Sequence, residues 1–198
     1  LYINKGTMNI SGDAILCSYV EMVSGSDKMI IGGDLDLKLD SDTKLTAGSI
    51  ECAGDITSTS TSILSNGTFK MILTGETDQT LNMNAYNTSS TNYHFATLDV
   101  RNSDSRKIIL KDLLDVGELT CDGKAVNITS SGGRLVNAKL RCDVNVSGNL
   151  ITCGDNHVID LNGHTLNING NLYQRSGTIL PNTCLLYTSP SPRDLSTS

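Results

Sequence analysis

Apolar and polar residues alternate along most of this chain, and the alternation restarts once every 21 residues. Each restart pairs a small residue with a polar one, and an apolar residue usually stands two positions after the small one. Such alternation is typical of half-buried β-strands, and a fixed period indicates one repeated structural unit. The dipeptides that keep the period are Gly12-Asp13, Gly33-Asp34, Gly54-Asp55, Gly75-Glu76, Ala96-Thr97, Gly117-Glu118 and Ala138-Lys139.

A single 21-residue unit cannot form a stable core by itself. In residues 33–53, each apolar side chain contributes about 1.5–3 kcal/mol when buried, whereas ordering the backbone costs about 1–2 kcal/mol per residue. Because the two sums nearly cancel, a unit is stable only when it stacks on its neighbours. The pattern therefore predicts an all-β fold, a right-handed parallel β-helix (β-solenoid) with coils of about 21 residues. An antiparallel β-sandwich is the alternative that alternation alone allows.

Two polar stretches, residues 58–67 and 84–93, interrupt the pattern and are predicted to be loops that bulge from the rod. Residues 106–116 fit either a short amphipathic helix or a pair of strands broken at Lys111-Asp112. Cys121 and Cys142 are one period apart. We expect both at the same inward position of adjacent coils, as packed thiols and not as a strained disulfide.

The two ends of the chain carry a separate expectation. The last fifteen residues read CLLYTSPSPRDLSTS, which back-translates to a transposase-type sequencing adapter. We expect residues 184–198 to be an adapter-derived, disordered tail. Residues 1–183 are then a β-solenoid fragment truncated at both ends, and the chain begins at Leu1.

Composition narrows the classes of function. The 198-residue chain has a formal net charge of -6 at pH 7 and no tryptophan. Nucleic acids and anionic membranes both prefer basic surfaces, and no apolar run has the length of a membrane-spanning helix. We therefore expect no nucleic-acid partner and no membrane insertion in this segment.

Several segments resemble a long tandem repeat of large bacterial cell-surface, adhesin-like β-solenoid proteins. The segment LTAGSIECAGDIT (residues 45–57) precedes SNGTFKMILTGETDQTL (65–81) and HFATLDV (94–100), and GHTLNINGNLYQRSGTI (163–179) is similar to the strands between repeats. Residues 7–13 also match residues 165–171 at an offset of 158, as in a tandem array. Cys52, Cys121, Cys142 and Cys153 depart from the family pattern.

The resemblance implies a secreted or cell-surface localisation and a structural or adhesive function, as a rigid stalk or as a rod that binds glycans or host surfaces. It implies no catalytic role, and the other expected partners are neighbouring repeats of the same chain. Two alternatives stay open: a pectate-lyase-like polysaccharide-degrading β-helix and an intracellular, bactofilin-like scaffold.

The acidic members of the periodic dipeptides form the candidate metal site. If the 21-residue register holds, one carboxylate per coil projects from one edge of the rod, and neighbouring charges repel. Either each carboxylate accepts a turn N–H, or calcium, which binds flexible carboxylates, bridges adjacent coils. No other cofactor is expected. The predicted row consists of Asp13, Asp34, Asp55 and Glu76.

Other chemistry is sparse in the sequence. The densest acidic group surrounds Lys38 and would be the site of the lyase alternative, but its alternation with leucines indicates a solvated outer face. The three histidines, His94, His157 and His164, are expected in turns or on the surface, and no zinc spacing is present. We therefore expect no enzyme active site. The acidic group contains Asp34, Asp36, Asp40 and Asp42.

Overall fold

The computed structural model describes residues 1–40, 42–59, 67–83, 94–152 and 157–181, together with the backbone of Leu186–Thr188. All strands in this part of the chain pair in parallel and no helix is present, so the chain is a β-solenoid with turns of about 21 residues. The predicted parallel β-helix is confirmed, and the antiparallel sandwich is excluded. None of the described residues lies in a helix able to cross a membrane.

The first three coils contribute to three sheets in turn, and the later described coils contribute to the second and third sheets. The first sheet contains β1 (Tyr2–Ile3), β4 (Glu21–Met22) and β7 (Lys44–Leu45). The second sheet contains nine described strands: β2 (Thr7–Ile10), β5 (Lys28–Ile31), β8 (Ser49–Cys52), β10 (Lys70–Leu73), β12 (Phe95–Val100), β15 (Val116–Cys121), β17 (Ala138–Leu140), β19 (Val158–Asp160) and β22 (Thr178–Leu180).

The third sheet bends around a corner in its later coils, where two long strands pair with two shorter strands each. The sheet contains β3 (Ala14–Ser18), β6 (Leu35–Leu39), β9 (Ile56–Ser58), β11 (Gln79–Met83), β13 (Ile108–Leu110), β14 (Leu113–Leu114), β16 (Ala125–Leu135), β18 (Asp143–Thr152), β20 (Leu166–Asn169), β21 (Leu172–Gln174) and β23 (Leu186–Thr188).

The core consists of inward columns in which one residue from each coil packs on its equivalent in the next. Parallel in-register pairing keeps equivalent side chains about 4.8 Å apart, so the column is continuous and excludes water. Phe69 and Phe95 are both fully buried among the aliphatic side chains. One column on the second sheet contains Ile10, Ile31, Cys52, Leu73, Val100 and Cys121.

Positions 21 residues apart do not stay on the same sheet along the whole chain. Lys70 pairs with Thr97, a separation of 27 residues, because the connection from β10 to β12 is longer than in other coils. As a result, Leu98, Leu119 and Leu140 form a column on the second sheet, whereas Ala14, Leu35 and Ile56 form one on the third. The single continuous register expected from the sequence is wrong, although within the second sheet the 21-residue spacing holds from β2 to β10 and from β12 to β19.

The matching segments 7–13 and 165–171 do not occupy the same sheet, contrary to what a tandem array predicts. Thr7–Ile10 is β2 of the second sheet, whereas Leu166–Asn169 is β20 of the third sheet. The two segments therefore share a strand followed by a Gly-Asp or Gly-Asn corner, used on different faces of the rod. They do not occupy equivalent places in two successive long repeats.

The remaining local predictions have mixed outcomes. Residues 106–116 contain β13, β14 and the first residue of β15, which confirms the strand pair broken at Lys111-Asp112. Residues 60–66 and 84–93, the bulk of the two predicted loops, lie outside the described residues. In the predicted tail, Leu186–Thr188 pairs with β20, and its other residues lie outside the described part.

The cysteines near the middle of the rod are free thiols. Cys142 is buried and Cys121 is half-buried, with its Sγ 3.3 Å from the Gly123 carbonyl oxygen. Burial raises the pKa of the Cys142 thiol, and the neighbouring Cys121 thiol raises it further. The reactive thiolate is therefore scarce at neutral pH.

We expect Cys121 and Cys142 to resist alkylation in the native protein and to react after unfolding. The exposed Cys17 is the internal control and should be alkylated rapidly under native conditions. Mass spectrometry of peptides after timed iodoacetamide treatment measures all three residues. Native alkylation of Cys121 and Cys142 at the rate of Cys17 would be incompatible with the inward column.

Candidate functional site

The periodic Gly-Asp dipeptides form a hydrogen-bonded corner between the second and third sheets. The Asp34 backbone N–H donates to Asp13 Oδ1 over 2.8 Å, and the Asp55 N–H donates to Asp34 Oδ1 over 2.8 Å. The Asp55 Oδ1 in turn accepts the Thr80 N–H at 2.7 Å. Each carboxylate therefore binds the backbone of the following coil, and the row connects the coils like rungs.

The glycines of the same dipeptides leave room for these carboxylates. A Cβ atom on Gly33 would lie 2.1 Å from Asp13 Oδ1, and one on Gly54 would lie 2.3 Å from Asp34 Oδ1. Gly12 has no atom within 4 Å of such a Cβ atom. Close contact between stacked corners thus explains the recurring glycine, and the hydrogen bond explains the aspartate that follows it.

Glu76 does not belong to this row. Ile56 pairs with Leu81, so the position that follows Asp55 in the row is occupied by Thr80. The turn between β10 and β11 is longer than the corresponding turns of earlier coils and places Glu76 at an exposed position four residues before Thr80. The structure therefore brings together three of the four predicted residues.

Similar rungs occur at positions that the 21-residue count did not indicate. Among the described residues, carboxylate or amide oxygens of one coil accept a backbone N–H from the next in five further pairs. These are Asp78 with Lys107 at 2.8 Å, Asp104 with Lys124 at 2.9 Å, Asn137 with Val158 at 2.8 Å, Asp143 with Thr165 at 2.8 Å and Asn149 with Asn171 at 3.1 Å.

The geometry of the acidic row is that of turn chemistry. Asp13, Asp34 and Asp55 each give one oxygen to a backbone donor. Within the described ranges, no group of three or more His, Cys, Asp or Glu side chains is arranged to hold a metal ion. The hydrogen-bonded alternative is therefore present, and the calcium alternative is left to a titration.

A calcium titration tests whether the acidic row binds calcium. Because the N–H donors already stabilise the row, we expect the melting temperature of the chain to be equal in millimolar calcium and in chelator at fixed ionic strength. Circular dichroism at increasing temperature measures it, with magnesium as the matched salt control. A calcium-specific rise would show that the ion binds the folded state.

The acidic group around Lys38 is divided: Asp36 and Lys38 lie on the outer face of β6, Asp34 lies in the corner before it, and Asp40 and Asp42 follow it. The Lys38 Nζ is 2.8 Å from Asp36 Oδ2, and the Asp42 N–H donates to Asp40 Oδ1 over 3.2 Å. Ion pairing with Asp36 raises the pKa of Lys38, so the amine stays protonated and is a poor proton acceptor. This geometry favours a solvated face.

A buried polar cluster that the sequence analysis did not predict connects two later coils at the same corner between the second and third sheets. Arg106 is 3% exposed. Its Nη2 donates to the Leu73 carbonyl over 2.6 Å, its Nε donates to the Arg101 carbonyl over 2.5 Å, and its Nη1 donates to Gln79 Oε1. Gln79 also accepts the Gly75 N–H at 3.1 Å. The cluster fixes two turns against each other.

A second buried group surrounds Asp115, which is 2% exposed. The Asn137 Nδ2 donates to Asp115 Oδ1 over 2.9 Å, and burial raises the pKa of Asp115 to about 6 despite this bond and the nearby His157. His94 and His157 are also buried. A surface position is wrong for these two histidines, because both are packed at the strand-entry corner of stacked coils.

A shallow groove of about 250 Å³ lies on the outer face of the third sheet. Its floor is an asparagine ladder: the Asn145 Nδ2 donates to Asn127 Oδ1 over 3.1 Å, and the Asn167 Nδ2 donates to Asn145 Oδ1 over 2.9 Å. The Asn127 Nδ2 donates to the Ser103 carbonyl over 3.0 Å. Lys107, Ser147 and Asn169 complete the polar lining.

The fold and these ladders define a parallel β-solenoid repeat protein. Comparison with known proteins adds no relative, because no family model, curated protein or solved structure matches the chain.

Proposed function

We propose that residues 1–183 act as a rigid spacer, a load-bearing stalk segment, in a bacterial repeat protein that is secreted or displayed on the cell surface. The observation that carries this proposal is the unbroken parallel pairing of the nine described strands of the second sheet. At about 4.8 Å per strand, the stack is a rod on the order of 40 Å long.

The corner ladders support the same role. The carboxylates of Asp13, Asp34 and Asp55 connect coils on one edge, and the asparagine ladder connects them on the third sheet. Coils joined by both backbone and side-chain hydrogen bonds resist bending as well as separation. An outer face rich in Asn, Ser and Thr suits an aqueous extracellular setting.

Single-molecule pulling tests the load-bearing role. With the chain held at its two ends, a stacked solenoid gives force peaks separated by about 70 Å, the extended length of one coil of about 21 residues. A flexible linker of equal length is the control and extends without peaks. Smooth extension of this chain as well would overturn the spacer function.

Two further measurements distinguish the alternatives. The proposed role is not enzymatic, so incubation with polygalacturonate should release no unsaturated product, and such a product would favour the lyase. Electron microscopy of the purified chain should show single particles, whereas self-assembled filaments would favour an intracellular scaffold.

A further inference from the structure

The groove on the third sheet differs chemically from the rest of the surface. The chain has a net charge of -6, but none of the described residues that line the groove is acidic. Lys107 is the charged residue of this described lining, and none of the described carboxylates lies within ion-pairing distance of the Lys107 ammonium. The described lining of the groove thus carries one positive charge, and the Asp78 carboxylate stands beside it on the Lys107 backbone N–H.

The amides of the groove retain hydrogen-bonding capacity. A side-chain amide has two N–H donors and two acceptor lone pairs. Among the described residues, Asn145 uses one donor toward Asn127 and one acceptor toward Asn167. The remaining donors and acceptors, together with the exposed Ser147 hydroxyl, suit a ligand that offers both kinds of partner at short intervals, as the hydroxyl groups of a sugar do.

The ladder also fixes the spacing of these groups. Asn127, Asn145 and Asn167 are register partners on β16, β18 and β20, so they repeat at about 4.8 Å. One sugar ring has nearly this length, and the groove volume of about 250 Å³ holds a short stretch of a chain. Because the amides bind one another, their positions are set before a ligand arrives, which lowers the entropic cost of binding.

We propose that this groove binds an acidic oligosaccharide, with the Lys107 ammonium pairing with a uronate carboxylate and the asparagine ladder binding the sugar hydroxyls. The binding role rests on the proposed extracellular function. It gives the stalk a lateral attachment point for an anionic polysaccharide, in addition to its role as a spacer.

The test uses trigalacturonate as the probe and galactotriose as its neutral counterpart. We expect trigalacturonate at millimolar concentration to shift the side-chain amide NMR signals of Asn127, Asn145 and Asn167, and galactotriose to bind more weakly. Lys107→Met should weaken trigalacturonate binding about fivefold, and added salt should weaken it as well, since one exposed ion pair is lost. Lys70→Met, an exposed lysine of the second sheet, is the matched control and should bind like the unmodified chain.

A second variant keeps the test independent of Lys107. Asn145→Asp places a negative charge in the groove; its oxygens still accept the Asn167 amide, but the donation to Asn127 is lost. Trigalacturonate affinity should therefore fall, while the circular dichroism spectrum should still report the parallel β-fold. The proposal is overturned by absence of amide shifts, by equal affinity for the two trisaccharides, or by equal losses in Lys107→Met and Lys70→Met. The pulling experiment measures the spacer function without any ligand. The binding proposal can therefore fail while the spacer function holds, and the reverse is also true.

Discussion

Replacement of Gly33 by alanine is expected to lower the free energy of unfolding by about 2–4 kcal/mol, a large share of the stability of a typical domain. The added Cβ atom would lie 2.1 Å from Asp13 Oδ1 and 2.8 Å from the Gly12 carbonyl carbon. The corner must therefore open, which strains the hydrogen bond between Asp13 and the Asp34 N–H. Urea denaturation followed by circular dichroism measures the loss.

The chain offers a matched control for this substitution. Gly12 occupies the same place in the first coil, and a Cβ atom there meets nothing within 4 Å. Gly12→Ala should therefore change the free energy of unfolding by less than about 0.5 kcal/mol. Adding Asp13→Ala to Gly33→Ala should recover part of the loss, since it removes the nearest clashing atom. Equal effects of Gly12→Ala and Gly33→Ala would contradict the stacked-corner geometry.

The second large effect concerns Asp115 and depends on pH. Burial raises the pKa of Asp115 to about 6, against about 3.9 in an unfolded chain. Between these values the folded state holds the proton more tightly, so stability increases as the pH falls from 6 toward 4. Above pH 6 the buried charge costs about 2–3 kcal/mol.

Asp115→Asn should therefore stabilise the chain at pH 7.5 by about 2 kcal/mol and have little effect near pH 4. Asparagine keeps an oxygen that accepts the Asn137 amide. The measurement is urea denaturation of both proteins at the two pH values. A loss of stability at pH 7.5 would mean that the Asp115 carboxylate is stabilised by its surroundings.

Asp122→Asn is the control of opposite sign. Burial favours the protonated form of Asp122, but the N–H groups of Asn102 and Ser103, at 2.9 and 3.2 Å, hold its pKa below the ordinary value. A depressed pKa contributes stability at neutral pH that is lost as the pH falls through the folded-state pKa. Asp122→Asn should therefore destabilise the chain at pH 7.5 and have a smaller effect in acid.

The sequence predicted the features of the fold that repeat. Gly33-Asp34 and Gly54-Asp55 revealed the corner because each coil imposes the same steric and hydrogen-bonding demand there. The predicted position of Glu76 was wrong. Because the turn before β11 is longer, Thr80 and not Glu76 follows Asp55 in the row. A period counted along the chain cannot detect such an insertion when small residues recur by coincidence at the old spacing.

The irregular parts of the structure carried no periodic signal. Arg106 and Gln79 are separated by 27 residues and meet only because an enlarged coil folds them together. The groove depends on the alignment of Asn127, Asn145 and Asn167. Their separations of 18 and 22 residues differ from the 21-residue period, so the period could not predict it. These sites depend on coil-specific register, which composition and spacing do not determine.

The most direct test of the rod is a distance between its two ends. Thr7 and Asp160 lie in one outward row of the second sheet, seven strand spacings apart. Spin labels at Thr7→Cys and Asp160→Cys, in a chain whose Cys17, Cys153 and Cys184 are replaced by serine, should therefore be separated by about 34 Å. Double electron–electron resonance should give one narrow distance distribution near that value. A broad distribution, or a mean far from that value, would contradict a rigid stack of parallel coils.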